Sequence, residues 1–398
     1  MSGNSHRAAH FEPEANEKLV LFGEEYVIQP HPSASQLPFS SEGRRAVVCQ
    51  LRNSVSDRFA LKVFKKRFRN ASVLQSADSL QWLEKVDGMR AARRRILLPD
   101  GPEVQQNSDL AYAVLMPWLA GHTWFDILQK TQNGFYLRQS SAIHLCYRFL
   151  SVAAGLEQGG IAHTDLSPAN VMVDFSRTDA SVQFLDLEEI YIPNTTGPAE
   201  LMKGTVGYCH QSADDGKTLW RPDGDRYAAS ILAAEMLILA NHNLAQLASE
   251  DGFFLGNSRS KAGRERYEIA QNWLYLIAPR FAKLFKHSWE SRDLSNSPRI
   301  SSLCEAVGEI AQKTPLESGP PLVERATVVV WEAIDPLRLK PPRLTRKAKR
   351  HAPATVDTVP AIEPMLGRTI RPSLMLFLAI GAILALVIGL SVAYYLTR

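Results

Sequence analysis

The chain lacks the features that mark several common classes of protein. Its four cysteines, Cys49, Cys146, Cys209 and Cys304, stand far apart, with no CxxC and no Cys/His cluster. That spacing excludes a zinc ribbon and a disulfide-stapled scaffold, and fits buried thiols in a reducing compartment. No apolar signal segment opens the chain: residues 1–16 are polar and read as disordered. Glycine is scarce in one early stretch. Between Ile28 and Ala46 there is one, Gly43, among Pro30, Pro32, Pro38 and several serines, so no GxGxxG run lets backbone amides approach phosphates there. Surplus positive charge is missing from the body of the chain as well. The formal charge is +4, but residues 338–398 carry ten Lys/Arg against two Asp/Glu, leaving 35 and 39, a net −4, in the first 337. A mildly acidic body argues against a nucleic-acid partner.

What is present is enough for a sizeable globular core: 398 residues, 45% hydrophobic and 22% charged. The most informative stretch is His163-Thr164-Asp165-Leu166-Ser167-Pro168-Ala169-Asn170, followed by Phe184-Leu185-Asp186-Leu187-Glu188. The HxDxxxxN octamer follows a helical apolar pattern through Ile143, Leu150, Ala153, Ala154 and Leu156, and runs into the apolar Val171-Met172-Val173. That layout is a loop followed by a β-hairpin that delivers a second carboxylate. Transfer of the γ-phosphate of ATP needs in-line positioning and neutralisation of phosphate charge, which bound Mg2+ supplies through hard oxygen ligands. In this reading Asp165 accepts the hydrogen bond of the acceptor hydroxyl, and Asn170 and Asp186 hold the metal. The plainer reading, that Asp165 and Asn170 only shape a turn, leaves the other matches unexplained.

Upstream, Leu19-Val20-Leu21-Phe22 through Ile28, Ala46 through Leu51 and Arg58 through Phe64 read as strands of a small antiparallel sheet. Lys62 lies mid-strand among apolar neighbours, where a lysine requires an anionic partner. A helix is expected over Val73–Arg95, with Ala77, Leu80, Glu84 and Gly88 on one face, which makes Glu84 the expected partner of Lys62 ahead of Asp78 and Asp87. Val114-Leu115-Met116-Pro117-Trp118-Leu119-Ala120-Gly121 then ends a strand.

These segments, over residues 19–312, resemble the protein kinase superfamily, specifically the eukaryotic-like serine/threonine kinases. Phe59-Ala60-Leu61-Lys62 is similar to the VAIK strand. Gly204-Thr205-Val206-Gly207-Tyr208 resembles the substrate-positioning GTxxY loop, and Asp225-Arg226-Tyr227-Ala228-Ala229-Ser230 the helix whose leading aspartate braces the catalytic loop. Ser297-Pro298-Arg299 resembles the site of the late arginine that pairs with the APE glutamate. The resemblance implies an α+β, two-lobed fold, with a sheet lobe over 17–118 and a helical lobe over 119–312. It also implies ATP and Mg2+ as cofactors, protein Ser/Thr hydroxyls as substrates, and adenine contacts from the Leu119 amide and the Pro117 carbonyl. Lys62 held by Glu84 grips phosphate, Asp165 is catalytic, Thr205 positions substrate, and His163, Asp225 and Arg299 are structural. There are departures. Thr164 replaces the arginine of HRD, Ser167 the lysine near the γ-phosphate, Glu188 the DFG glycine, and Gln211 the APE glutamate, so Gln211 and Arg299 are left a neutral hydrogen bond. Arg44 and Arg45, in the glycine-poor loop, read as solvated. A catalytically impaired pseudokinase acting as a membrane scaffold is one alternative. A small-molecule kinase of the aminoglycoside or choline type is another; Gly204-Thr205 and Asp225 favour protein substrates.

The chain's end carries a different signal. Leu374–Leu396 is a 23-residue run without a charge, roughly 34 Å long as a helix and sufficient to cross a bilayer. Upstream lie Arg338, Lys340, Arg343, Arg346, Lys347, Lys349 and Arg350, with only Thr397 and Arg398 beyond, so the expected topology is tail-anchored with a cytoplasmic body. Residues 313–373 read as a Pro-rich basic linker, with Ala326–Trp331 as a short strand or docking segment. Gly381, Ala385 and Gly389 recur every fourth residue, a pattern that permits homodimeric helix pairing.

Overall fold

The computed structural model describes residues 11–71, 80–176, 180–197, 203–317 and 319–324. It is an α+β architecture in which antiparallel strands come first and helices follow. The first sheet contains β1 (Lys18–Leu21), β2 (Glu24–Ile28), β5 (Ser40–Glu42), β6 (Ala46–Asn53), β7 (Arg58–Phe64), β8 (Arg95–Ile96) and β9 (Val114–Pro117), in the order β1-β2-β6-β7-β9-β8. A small hairpin, β3 (Pro30–His31) with β4 (Ala34–Pro38), interrupts the first edge, so β2 and β5 pair with opposite ends of β6. Three prolines in this stretch explain the interruption, because proline cannot donate to a ladder and sits at edges.

Alternation decides what β7 presents. Leu61 and Val63 join Leu21, Ile28, Cys49, Leu51 and Leu115 in one core, and Lys62, paired in register with Val48 and Val114, points to the opposite face. Phe11 is buried in that same core, so the described end of the stretch expected to be disordered is packed.

The second core is helical. It is built on α3 (Gln139–Gln158), preceded by α1 (Pro102–Gln106) and α2 (Trp124–Gln132), and on α4 (Arg226–Ile238). Every residue of α4 from Tyr227 to Ile238 is buried, as its nearly uninterrupted apolar sequence requires. Around it pack α5 (His242–Ala245), α6 (Lys261–Ile277), α7 (Pro279–Glu290) and α8 (Ile300–Ala311). Three short strands, β10 (His122–Thr123), β12 (Val171–Asp174) and β13 (Ser181–Phe184), form a sheet over α3. β11 (Phe135–Leu137) pairs with β14 (Leu322–Glu324), carrying the compact part a dozen residues into the expected linker.

Two expectations change. The helix expected over Val73–Arg95 does not continue past Leu80: Gln81–Lys85 and Arg90–Ala92 are short 3-10 turns separated by an extended Val86. The break has a physical cause. Gly88 adopts φ +78°, and a Cβ there would sit 2.5 Å from a Val152 methyl of α3, so the chain needs glycine to turn sharply against that helix. Residues 72–79 lie outside the described residues, as do Ala326–Trp331, the Leu374–Leu396 run and its Gly381, Ala385 and Gly389. Among the described residues no helix is long and apolar enough to cross a membrane.

Candidate functional site

The site is assembled where the loop after α3 meets the turn after β13. Gly160 lets the chain leave α3 with φ +71°, and Ala162 bridges to Tyr191. Two consecutive amides, His163 N–H and Thr164 N–H, donate to the buried Asp225 carboxylate at 2.5 and 2.7 Å. Those bonds hold Thr164 at φ +67°, a conformation that a β-branched residue resists, and its hydroxyl donates to the Glu189 carbonyl at 2.6 Å. The bracing expected of Asp225 is thus present, and the His163 ring sits 2.6 Å from the Leu185 carbonyl. Thr164, in the place of an arginine, is used as a structural tie.

Asp165 is oriented from two sides. The Thr205 hydroxyl donates to its Oδ1 at 3.0 Å, and the Asn170 amide donates to its carbonyl at 2.8 Å, with Oδ2 at the 3.5 Å limit. Asn170 ends a 3-10 turn, Pro168–Asn170, and its own carbonyl accepts from Leu185 N–H at 2.9 Å, which locks the octamer to the residue preceding Asp186. Asp186 stands in the left-handed region at φ +56°, where aspartate is tolerated better than most residues, and opens the 3-10 turn Leu187–Glu189.

Lys62 reaches this turn from β7. Its ammonium lies 2.6 Å from Asp186 and 2.9 Å from Glu188, and Glu188 is held from its other oxygen by Arg94 at 3.1 Å. Burial would push the lysine down, but the two carboxylates outweigh it and raise its pKa. Burial pushes Asp186 up, to about 6, against the pull of Lys62 and with Glu188 adding to the rise; the side chain is still 39% exposed, which tempers that push. Glu188 moves the other way. Burial would raise it, but Lys62, a hydrogen bond with Asp186, and Arg94 together hold it well below the usual carboxylate range.

Glu84 is elsewhere, and this corrects the expected pairing with Lys62. It lines a cleft of about 570 Å³ with Asp57, Arg58, Phe59 and Trp118. Arg58 is four residues along β7 from Lys62, roughly 13 Å at 3.3 Å per residue. With the expected helix broken at Gly88, Glu84 is not carried over the lysine. Glu188 takes that contact, a role missed because it looked like a mere substitution of a glycine. The available signal was chemical: a buried lysine beside two acids only two residues apart. Arg94 was hidden in the run Arg93-Arg94-Arg95, whose spacing does not reveal which guanidinium turns inward.

The glycine-poor loop is also tied down. β5 and β6 form a hairpin whose tip closes by Gly43 N–H donating to the Ala46 carbonyl, and Arg45 beside it pairs with Glu189 at 2.5 Å. Arg45 is therefore a site residue and not a solvated one. At the end of β9, Trp118 N–H donates to the Arg58 carbonyl, so Pro117 takes the intervening position whose polar groups face away from β7. Leu119 is buried in the helical core. Arg299 is exposed at the N-cap of α8, and Gln211 meets Arg259 instead, accepting from its Nε at 3.1 Å while donating to the Ser291 carbonyl. The expected Gln211–Arg299 pairing is replaced by one from the segment before α6.

The donor set suits a hard cation shared with phosphate: a carboxylate at Asp186 and a side-chain carbonyl at Asn170, drawn together by the Leu185–Asn170 bond. Among the described residues no group of three or more His, Cys, Asp or Glu is placed to hold a metal unaided. Two protein oxygens completed by phosphate and water would suffice for Mg2+. No protein-family model matches the chain, and no curated protein is similar to it.

Proposed function

We propose that the chain is an ATP- and Mg2+-dependent phosphotransferase of the protein-kinase type, acting on Ser/Thr hydroxyls of proteins and anchored to a membrane through Leu374–Leu396. The observation that carries this reading is the contact of Asp165 with Thr205 and Asn170 on a loop braced by Asp225, with Asn170 bonded to Leu185, the residue before the Lys62-paired Asp186. A turn-forming aspartate would need none of these partners. The order of a sheet followed by helices, with Lys62 of the sheet reaching Asp186 after β13, supports the two-lobed kinase-like arrangement.

In the proposed chemistry Asp165 accepts the hydrogen bond of the acceptor hydroxyl and aims its oxygen for in-line attack; Thr205 holds the carboxylate and Asn170 the backbone carbonyl of the same residue. Asp186 and Asn170 would hold Mg2+, which supplies charge neutralisation at the phosphates. Lys62 contributes a cation for the α- and β-phosphates, and Arg45, at the tip of the β5–β6 hairpin, a second one in place of the missing glycine amides. Pro117 and Leu119 are the proposed adenine-facing backbone positions. A serine/threonine acceptor is favoured by Thr205, whose hydroxyl is already on Asp165.

One observation favours the pseudokinase alternative: Lys62 and Asp186 are paired directly, which engages both a phosphate-binding and a metal-binding group. The two readings separate experimentally. Full-length purified protein with γ-labelled ATP and Mg2+ is expected to label itself or a generic protein substrate, and Asp165→Asn to abolish labelling while nucleotide binding persists. Binding without labelling in the unaltered protein indicates the pseudokinase; neither indicates that the phosphotransferase reading is wrong.

A further inference from the structure

The structure assigns Glu188, buttressed by Arg94, as the residue that anchors Lys62 for phosphate contact, in place of a carboxylate carried by a helix. This rests on the phosphotransferase reading of the site. A buried ammonium needs a permanent counter-charge, because a charge left unpaired away from water is strongly destabilising. Lys62 has two acids in reach, and they differ in what they can do. Asp186 is partly exposed and is the proposed metal ligand; Glu188 is 9% exposed, as is Lys62 itself.

Glu188 divides its oxygens, with Oε2 2.9 Å from Lys62 and Oε1 3.1 Å from Arg94. Arg94 is more deeply buried still, and its Nε and Nη2 donate to the Ala91 carbonyl at 3.2 and 3.1 Å. The guanidinium is thus fixed by the short 3-10 turn that stands where a helix was expected, and it fixes Glu188 in turn. Two cations and two carboxylates alternate, so the cluster is neutral only with Glu188 present. Because Glu188 lies two residues after Asp186 in one turn, Leu187–Glu189, a single local conformation positions both the metal-binding carboxylate and the lysine's anchor. The Lys62 pairing therefore does not depend on swinging a helix inward.

Two readouts on the full-length protein test this, one of them independent of phosphoryl transfer. The first is the rate at which a small amine-reactive reagent labels Lys62 at mildly alkaline pH, followed by peptide mass spectrometry. The second is the Kd for MgATP, read with a fluorescent ATP analogue. Glu188→Gln is expected to speed Lys62 labelling several-fold, because the ammonium loses the carboxylate that holds it at 2.9 Å, and to weaken MgATP by about tenfold or more. Glu188→Asp should restore part of both, Arg94→Met should weaken MgATP in the direction of Glu188→Gln, and Glu84→Gln should leave both readouts unchanged. If Glu188→Gln does not fold, Arg94→Met against Glu84→Gln decides alone. A Glu84→Gln effect equal to that of Glu188→Gln or Arg94→Met, or no effect at Glu188 and Arg94, overturns the assignment. Lys62 labelling that follows the expected pattern in a protein that binds no MgATP supports Glu188 as the anchor and sinks the phosphotransferase reading instead.

Discussion

Glu235 shows how much one buried side chain holds in this molecule. Its carboxylate, fully buried within α4, accepts from Trp124 Nε1–H at 3.1 Å, the Tyr208 hydroxyl at 2.9 Å and Phe253 N–H at 2.7 Å. It thereby ties α2, the Thr205 loop and the segment after α5 to one point. Burial lifts its pKa from near 4.5 to about 7, against the pull of those donors. The folded state then holds the proton more tightly than the unfolded chain, so this group's stabilising contribution is full below about pH 4.5 and is lost as pH rises through about 7, up to roughly 3 kcal/mol. Urea unfolding at several pH values should show that slope, and Glu235→Gln should flatten it while costing about 1–3 kcal/mol, since an amide sets a donor against a donor. Asp186 titrates in the opposite functional sense. With its carboxyl near 6, MgATP affinity is expected to rise with pH through about 6 and level off above, because only the ionised form binds metal; an affinity flat from acid to neutral pH would speak against Asp186 as ligand.

At the scale of elements, the turn at Gly88 decides what meets Lys62. Gly88→Ala forces a left-handed alanine and a methyl into Val152, for an expected loss of about 2–4 kcal/mol. Val152→Ala should recover part of that loss in a melting experiment, which a purely backbone effect would not allow. The β5–β6 hairpin is held by Arg45 and Glu189, and Arg45→Ala is expected to raise KM for ATP more than it lowers kcat if the hairpin tip serves binding. Much of this was legible beforehand. The strands β6 and β7 follow from their apolar, strand-favouring content, the octamer's loop from its place after a helical pattern, and the Thr205 and Asp225 contacts from what the kinase resemblance implies. The broken helix was not legible, because residues 81–95 are good helix formers and only the packing of Gly88 against Val152 opposes them. Nor was the Lys62 partner, because spacing along a helix that does not continue through residues 81–95 points to Glu84. The pairing of Gln211 with Arg259 instead of Arg299 was lost for the same reason: which of several arginines turns inward is settled by tertiary packing.

At the scale of the whole molecule, a compact body carries the candidate site and a basic, Pro-rich stretch leads to the uncharged Leu374–Leu396 run. Deleting that run is expected to move the protein from the membrane fraction to the supernatant with its in vitro phosphotransfer unchanged; an unaltered distribution would contradict the anchor. In the proposed reading the body's net negative charge disfavours nucleic acid as a partner, and a protein substrate would be read by the surface around Thr205. All of this depends on one property, transfer of phosphate at Asp165. The most direct measurement is label transfer from γ-labelled ATP in the presence of Mg2+ by the full-length protein, compared with Asp165→Asn. Transfer that is abolished in the variant, with nucleotide still bound, is the predicted result; transfer that persists in Asp165→Asn, or a folded protein that neither binds nor transfers, would contradict it.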